Sequence, residues 1–160
     1  MAIVPGTDGQ IVTTERDGRT WHDLTDEFGV TWSMPDDQQL YMDISHHPLA
    51  NAKTKEDIKN YAWPDPTEPA RFAGLAERAK YVAEELGELV ILGGLAPGFI
   101  ELTAWTRGFG NFYPDLVNNL DLLEYLMDKI IDLKLAYWER VLDEIGPDID
   151  IAAEADDLGA

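Results

Sequence analysis

Glu88-Leu-Val-Ile-Leu-Gly-Gly94 and Asp148-Ile-Asp-Ile-Ala-Ala-Glu-Ala-Asp-Asp-Leu-Gly159 bracket the stretch that decides the fold. Leu89 to Leu92 is an unbroken apolar run closed by two glycines, the pattern of a strand buried on both faces of a parallel sheet. Between the brackets lie a helical run ending near Arg107-Gly108 and a very long helix. From Leu120 to Ile145, the residues Leu122, Leu126, Ile130, Leu133, Tyr137, Val141 and Ile145 recur at steps of three or four, one face of an α-helix. Leu123, Met127, Ile131, Trp138 and Leu142 widen that stripe, while Asp128, Lys129, Asp132, Lys134, Glu139 and Arg140 fall on the outward side. Gly146-Pro147 stops the helix, and Ile149 to Ala153 reads as the next strand. Strand, helix, strand with so long a crossover predicts parallel pairing.

Upstream, Gln10 to Leu24 reads as two strands around Asp17-Gly18, a strong hairpin signal. A short strand is expected at Val30 to Trp32 and another at Tyr41 to Ile44, with Ser45 to Leu49 as a loop. Thr54 and Asp57 form a capping box for a short helix carrying Ile58 and Tyr61 on its apolar side. Trp63-Pro-Asp-Pro66 ends it. Pro69 opens a second helix through Phe72, Leu75, Ala79, Val82 and Leu86, closed by Gly87. Residues 1–44 are thus read as a β-rich appendage and 45–160 as the α/β segment, and no internal repeat or flexible linker interrupts them.

Composition narrows the function. With 160 residues, 45% of them hydrophobic, the chain can build a core. Its 31 acidic and 12 basic residues give a formal net charge of −19, which repels phosphate backbones and anionic membranes, so no nucleic acid and no membrane partner is expected. No cysteine is present, which removes disulfides, thiolate catalysis and cysteine metal sites. The longest apolar run falls far short of the roughly 18 residues of a membrane span, and the start lacks the order of a signal peptide, so a cytoplasmic location is expected.

Chemistry in α/β folds gathers at the carboxyl ends of strands. Gly93 and Gly94 offer bare backbone for close approach of a ligand, with Glu101 and Arg107 on the helical stretch that follows. Glu154, Asp156 and Asp157 cluster three carboxylates within four residues. Neighbouring carboxylates repel, which favours a proton on one of them, and such a cluster also serves to hold a metal or bind substrate N–H groups. Asp156 or Asp157 can equally cap the following helix. His46 and His47 invite a metal reading, but adjacent histidines seldom face one ion and no third ligand stands at suitable spacing, so no metal site is assigned. His22 reads as an ordinary strand residue, and the aspartates from Asp148 to Asp157 do not follow calcium-loop spacing. Trp105, Phe109, Phe112 and Tyr113 suit core packing or one wall of a pocket for a flat ring.

Gly93-Gly-Leu-Ala-Pro-Gly-Phe-Ile-Glu-Leu-Thr-Ala-Trp-Thr-Arg-Gly-Phe-Gly-Asn-Phe112, the long amphipathic helix after it, and Ala153-Glu-Ala-Asp-Asp-Leu-Gly159 together resemble the uroporphyrinogen decarboxylase superfamily. His47-Pro-Leu-Ala-Asn-Ala-Lys-Thr-Lys-Glu-Asp-Ile-Lys-Asn-Tyr61 resembles that family's proline segment and Glu-Asp-Ile helix, so the likeness spans roughly residues 40 to 159. Asp26-Glu-Phe-Gly with Trp32 is similar to the methyltransferase-like branch, which serves corrinoid proteins. The resemblance implies a (β/α)₈ barrel, of which 160 residues could supply only a part, since a complete one takes about 250. The expected fold is therefore a partial (β/α)₈ TIM barrel with an N-terminal β-hairpin appendage.

By the same resemblance, the family's arginine motif and pyrrole-binding aspartate would precede Met1, its zinc ligands would follow Ala160, and Trp105 stands near a family tyrosine. The implied function is methyl transfer involving a corrinoid protein, with zinc in the parent enzyme but no cofactor bound within this segment. The alternatives are cofactor-free decarboxylation of uroporphyrinogen and a non-catalytic α/β binding or assembly module. Glu154, Asp156 and Asp157 are the expected catalytic carboxylates. Gly93, Gly94, Glu101, Trp105 and Arg107 are expected to bind a small-molecule or tetrapyrrole substrate. Because half a barrel exposes sheet edges, a homo-oligomer is expected, and the segment alone is expected to turn over neither substrate.

Overall fold

A computed structural model describes residues 2–3, 11–37 and 41–156. The chain forms two units, one of Met1–Gly6, Asp65–Leu102 and Met127–Ala160, the other of Thr7–Pro64 and Thr103–Leu126.

The first unit holds a parallel sheet. Strand β1 (Ala2–Ile3) appears early in the chain, and its central neighbour, here β6 (Ile91–Gly93), pairs on its other side with β7 (Ile151–Ala153). The parallel pairing expected of the two bracketing stretches is present, with Ile91 opposite Ile151, Leu92 opposite Ala152 and Gly93 opposite Ala153. The first strand starts two residues later than its apolar run. The Asp150 carboxylate takes the N–H of Val90 at 2.8 Å while the Val90 carbonyl takes the Asp150 and Ile151 amides, and Leu89 is left exposed. Leu92 is fully buried, but all three residues of β7 are exposed.

The helix expected from Pro69 to Leu86 is broken. A 3₁₀ turn at Pro69–Arg71 ends before Gly74, whose φ of +71° is closed to most side chains. The helix restarts as α2 (Leu75–Lys80) and widens into a π turn over Tyr81–Glu85. Leu75, Ala79 and Val82 still form its buried side.

Four antiparallel strands form the second unit's sheet: β2 (Ile11–Arg16), β3 (Arg19–Thr25), β4 (Thr31–Pro35) and β5 (Asp43–His46), in that order. The hairpin turn is Asp17-Gly18, both at positive φ (51° and 73°), as a two-residue turn matched to strand twist requires. The strand expected at Tyr41–Ile44 lies two residues later and takes in His46. Helix α1 (Lys55–Lys59) carries the expected capping box, with the Thr54 hydroxyl accepting the Asp57 N–H and the Asp57 carboxylate accepting the Thr54 N–H.

Three helices complete the order: α3 (Phe99–Arg107), α4 (Phe109–Asn118) and α5 (Leu120–Ile145). Gly108, at φ +82°, separates α3 from α4, and Pro114 is accommodated within α4. Helix α5 has the extent its periodicity predicts, and every residue of its primary stripe is buried, whereas Leu142 of the second row is half exposed.

The expected fold class is overturned. The described residues form a mixed α/β structure with two separate sheets, one of four antiparallel strands and one of three short parallel strands, without barrel-like closure, and no partial (β/α)₈ barrel is present among them. Strands of two or three residues offer too few ladder bonds for a barrel wall. The largest sheet is a meander that needs no helical crossover. Among the described residues, no helix is long and apolar enough to cross a membrane.

Candidate functional site

The carboxyl ends of β6 and β7 lie side by side, tied by the Gly94 N–H donating to the Ala153 carbonyl at 3.1 Å. One turn beyond β6, Ala96 takes the left-handed φ of 59°, and the ammonium of Lys134 reaches up from α5 to donate to the carbonyls of Leu95 (2.8 Å) and Pro97 (2.9 Å). Gathering two carbonyls on one partly buried cation holds the turn in a conformation an alanine seldom adopts unaided. Below it the Tyr137 hydroxyl donates to the Gly93 carbonyl at 3.2 Å. Burial pushes the Tyr137 phenol up to about 12, the Arg71 charge opposing and Glu154 adding to the rise, so the hydroxyl remains a donor at neutral pH.

Two of the expected carboxylates sit at this mouth. Glu154 accepts a 2.9 Å ion pair from Lys134 and a 2.5 Å hydrogen bond from the Trp138 indole N–H, while the residue stays exposed. Asp156 accepts the amides of Ile100 and Glu101, each at 3.0 Å, at the start of α3. It therefore caps a helix, but that helix is α3, far earlier in the chain, and not one that follows Asp156. Its negative charge also meets the positive end of that helix. Asp157 lies outside the described residues. A Cβ on Gly94 would displace the exposed Glu154 carboxylate, and one on Gly98 would overlap the Asp156 side chain as far in as its own Cβ.

Two hollows open here. A groove of about 480 Å³ is lined by Phe99, Ile131, Lys134, Trp138, Glu154 and Asp156 among others. A smaller one of about 320 Å³ lies over Gly93, Gly94, Ala153 and Glu154. Apolar walls with a few convergent polar groups are the general form of a small-molecule site. Gly93, Gly94, Glu154 and Asp156 are thus brought together, and Glu101 joins them through its backbone N–H.

Trp105 and Arg107 belong to the other unit and are committed there. Arg107 is buried, with Nε on the Asp115 carboxylate at 2.7 Å and Nη1 on the carbonyls of Leu49 (2.7 Å) and Ala52 (2.9 Å), an ion pair that fixes the 49–52 loop. Trp105 packs edge-on against Trp32 at 4.7 Å and gives its carbonyl to His47 Nδ1–H at 2.6 Å. Asp26 of the Asp26-Glu-Phe-Gly stretch organises a turn, accepting the amides of Phe28 and Val30 and the indole N–H of Trp32. Gly29 closes that turn at φ +78° beneath the Tyr61 hydroxyl.

Lys134 and Trp138 are the site residues that pattern reading missed. By helical period Lys134 falls on the outward face and Trp138 only in the apolar row. Their i, i+4 spacing puts them on one flank of α5, and that spacing beside an acidic strand end is the available signal. Among the described residues no group of three histidines, aspartates or glutamates is placed to hold a metal ion. Compared with known proteins, the chain matches no family model, no curated sequence and no solved structure.

Proposed function

We propose that the shared mouth of β6 and β7 is the substrate pocket of an enzyme of the uroporphyrinogen decarboxylase superfamily, on its methyltransferase-like side. The observation that carries the proposal is the convergence of Gly93, Gly94 and Glu154 at two adjacent parallel strand ends over an apolar groove, the position where α/β enzymes bind ligands. In this reading Phe99, Ile131 and Trp138 bind the apolar body of the substrate. Glu154, oriented by Lys134 and Trp138, accepts a hydrogen bond from its polar end. The methyl-transfer branch rests on the likeness of Asp26-Glu-Phe-Gly and the acidic strand end. No step of it is assigned to a metal.

A second reading, decarboxylation of a tetrapyrrole acetate, is favoured by one feature. Glu154 stays exposed at the mouth, where a carboxylate could steady a protonated pyrrole. Calorimetric titration of the chain with methylcobalamin and, separately, with uroporphyrinogen distinguishes the readings, each repeated on Glu154→Gln. Heat of binding from methylcobalamin alone favours methyl transfer. Binding of uroporphyrinogen that weakens at least tenfold in Glu154→Gln favours decarboxylation. Binding of neither contradicts the proposal.

A further inference from the structure

A third hollow, of about 530 Å³, lies wholly within the unit built on the antiparallel sheet and shares no residue with the β6/β7 mouth. Its wall carries Trp32 from β4, Tyr41 and Asp43 at the start of β5, His47 just beyond that strand and Phe109 at the start of α4. Two of these rings face water, Tyr41 being 70% and Phe109 45% exposed. Among the described residues the lining includes a carboxylate and no lysine or arginine. Rings present negative π faces, so this combination attracts a cation and offers an anion nothing.

His47 is held rather than loose. Its Nδ1–H donates to the Trp105 carbonyl at 2.6 Å, the only role that nitrogen can take against a carbonyl, and in the neutral ring this leaves Nε2 as an acceptor. The opposite edge of the ring rests on Gly108, where an added Cβ would come within 3.0 Å of Cδ2, and Phe109 meets it edge-on at 6.5 Å. Three constraints on one imidazole hold the ring in place.

We propose that this hollow binds a small alkylated ammonium ion, its methyl groups against Trp32, Tyr41 and Phe109, its charge balanced by Asp43, and an N–H, where it has one, donated to His47 Nε2. The rival is general attraction of any cation to a chain of net charge −19. Calorimetric titration of the full chain at low salt with trimethylammonium, tetramethylammonium and the neutral tert-butanol separates the two. Saturable binding of both cations is expected, tighter for trimethylammonium, with none for tert-butanol. Asp43→Asn should weaken it about fivefold and Phe109→Leu about two- to fivefold. Glu139→Gln, which removes an exposed charge from α5, should leave it unchanged. Asp43 is exposed, so its variant should fold, and an unchanged circular dichroism spectrum verifies this. The proposal is overturned if the cations do not saturate, if tert-butanol binds as well, or if Glu139→Gln weakens binding as much as Asp43→Asn.

Discussion

The side chain of Asp156 fills the space that a Cβ on Gly98 would need, and from there its carboxylate receives the amides of Ile100 and Glu101. Glycine and aspartate are thus one device: the first clears the approach and the second caps α3. Asp156→Ala is expected to cost about 1 kcal/mol, as for the loss of a helix cap. Gly98→Ala should cost about 1–3 kcal/mol because Asp156 must move aside. The double variant should be less destabilised than the sum of the two, since removing Asp156 makes room for the methyl group. Urea denaturation of the four proteins measures this, and strict additivity would separate the two residues.

Lys134 organises the mouth from below. Replacing it by methionine leaves the Leu95 and Pro97 carbonyls without their donor and Glu154 without its cation, so Lys134→Met should destabilise the protein by about 1–3 kcal/mol. Glu154→Gln keeps an acceptor for Trp138 at an exposed position and should cost well under 1 kcal/mol. Chemical denaturation of both variants checks the ranking.

What could be read from residues alone was whatever depends on local period and turn chemistry. The stripe from Leu122 to Ile145, the Asp17-Gly18 hairpin, the Thr54–Asp57 box and the parallel pairing of the two bracketing stretches all follow from spacing. The fold class did not. An apolar run such as Leu89 to Leu92 specifies burial but not how many strands its sheet holds, and here the largest sheet is the antiparallel one. Side-chain partners beyond one helical turn are equally hidden: Arg107 reads as a substrate-binding residue, yet it is held by Asp115 in a buried pair. Lys134 looked outward because helical period alone does not reveal the turn above it.

That buried pair yields a prediction for the unit built on the antiparallel sheet. Arg107→Lys keeps the charge but not the fork that reaches Asp115 and the loop carbonyls together, and should cost about 2–4 kcal/mol. Hydrogen exchange should show faster exchange at the Leu49 amide, which bonds the Thr106 carbonyl beside it. Unchanged exchange there would mean the ion pair does not hold the loop.

Tyr137 makes stability fall at high pH in a definite window. The folded phenol keeps its proton to about 12 while the unfolded one releases it near 10.0, so between these values the unfolded chain binds fewer protons than the folded one. The contribution is complete below pH 10 and is lost as pH rises toward 12. Tyr137→Phe removes this ionisation and the hydrogen bond to Gly93, so it should be less stable than wild type at pH 8, yet lose less on going to pH 11. Denaturation midpoints at the two pH values provide the measurement, and parallel losses in both proteins would contradict the assignment.

The central claim is that the ends of β6 and β7 form one binding mouth, and amide chemical shifts test it residue by residue. In the ¹⁵N-labelled chain, saturating methylcobalamin or uroporphyrinogen is predicted to move the amides of Gly93, Gly94, Ala153 and Ala155 and the Trp138 indole together, with a single dissociation constant. If neither compound moves them, or if the largest shifts fall on residues outside this mouth, the account is wrong.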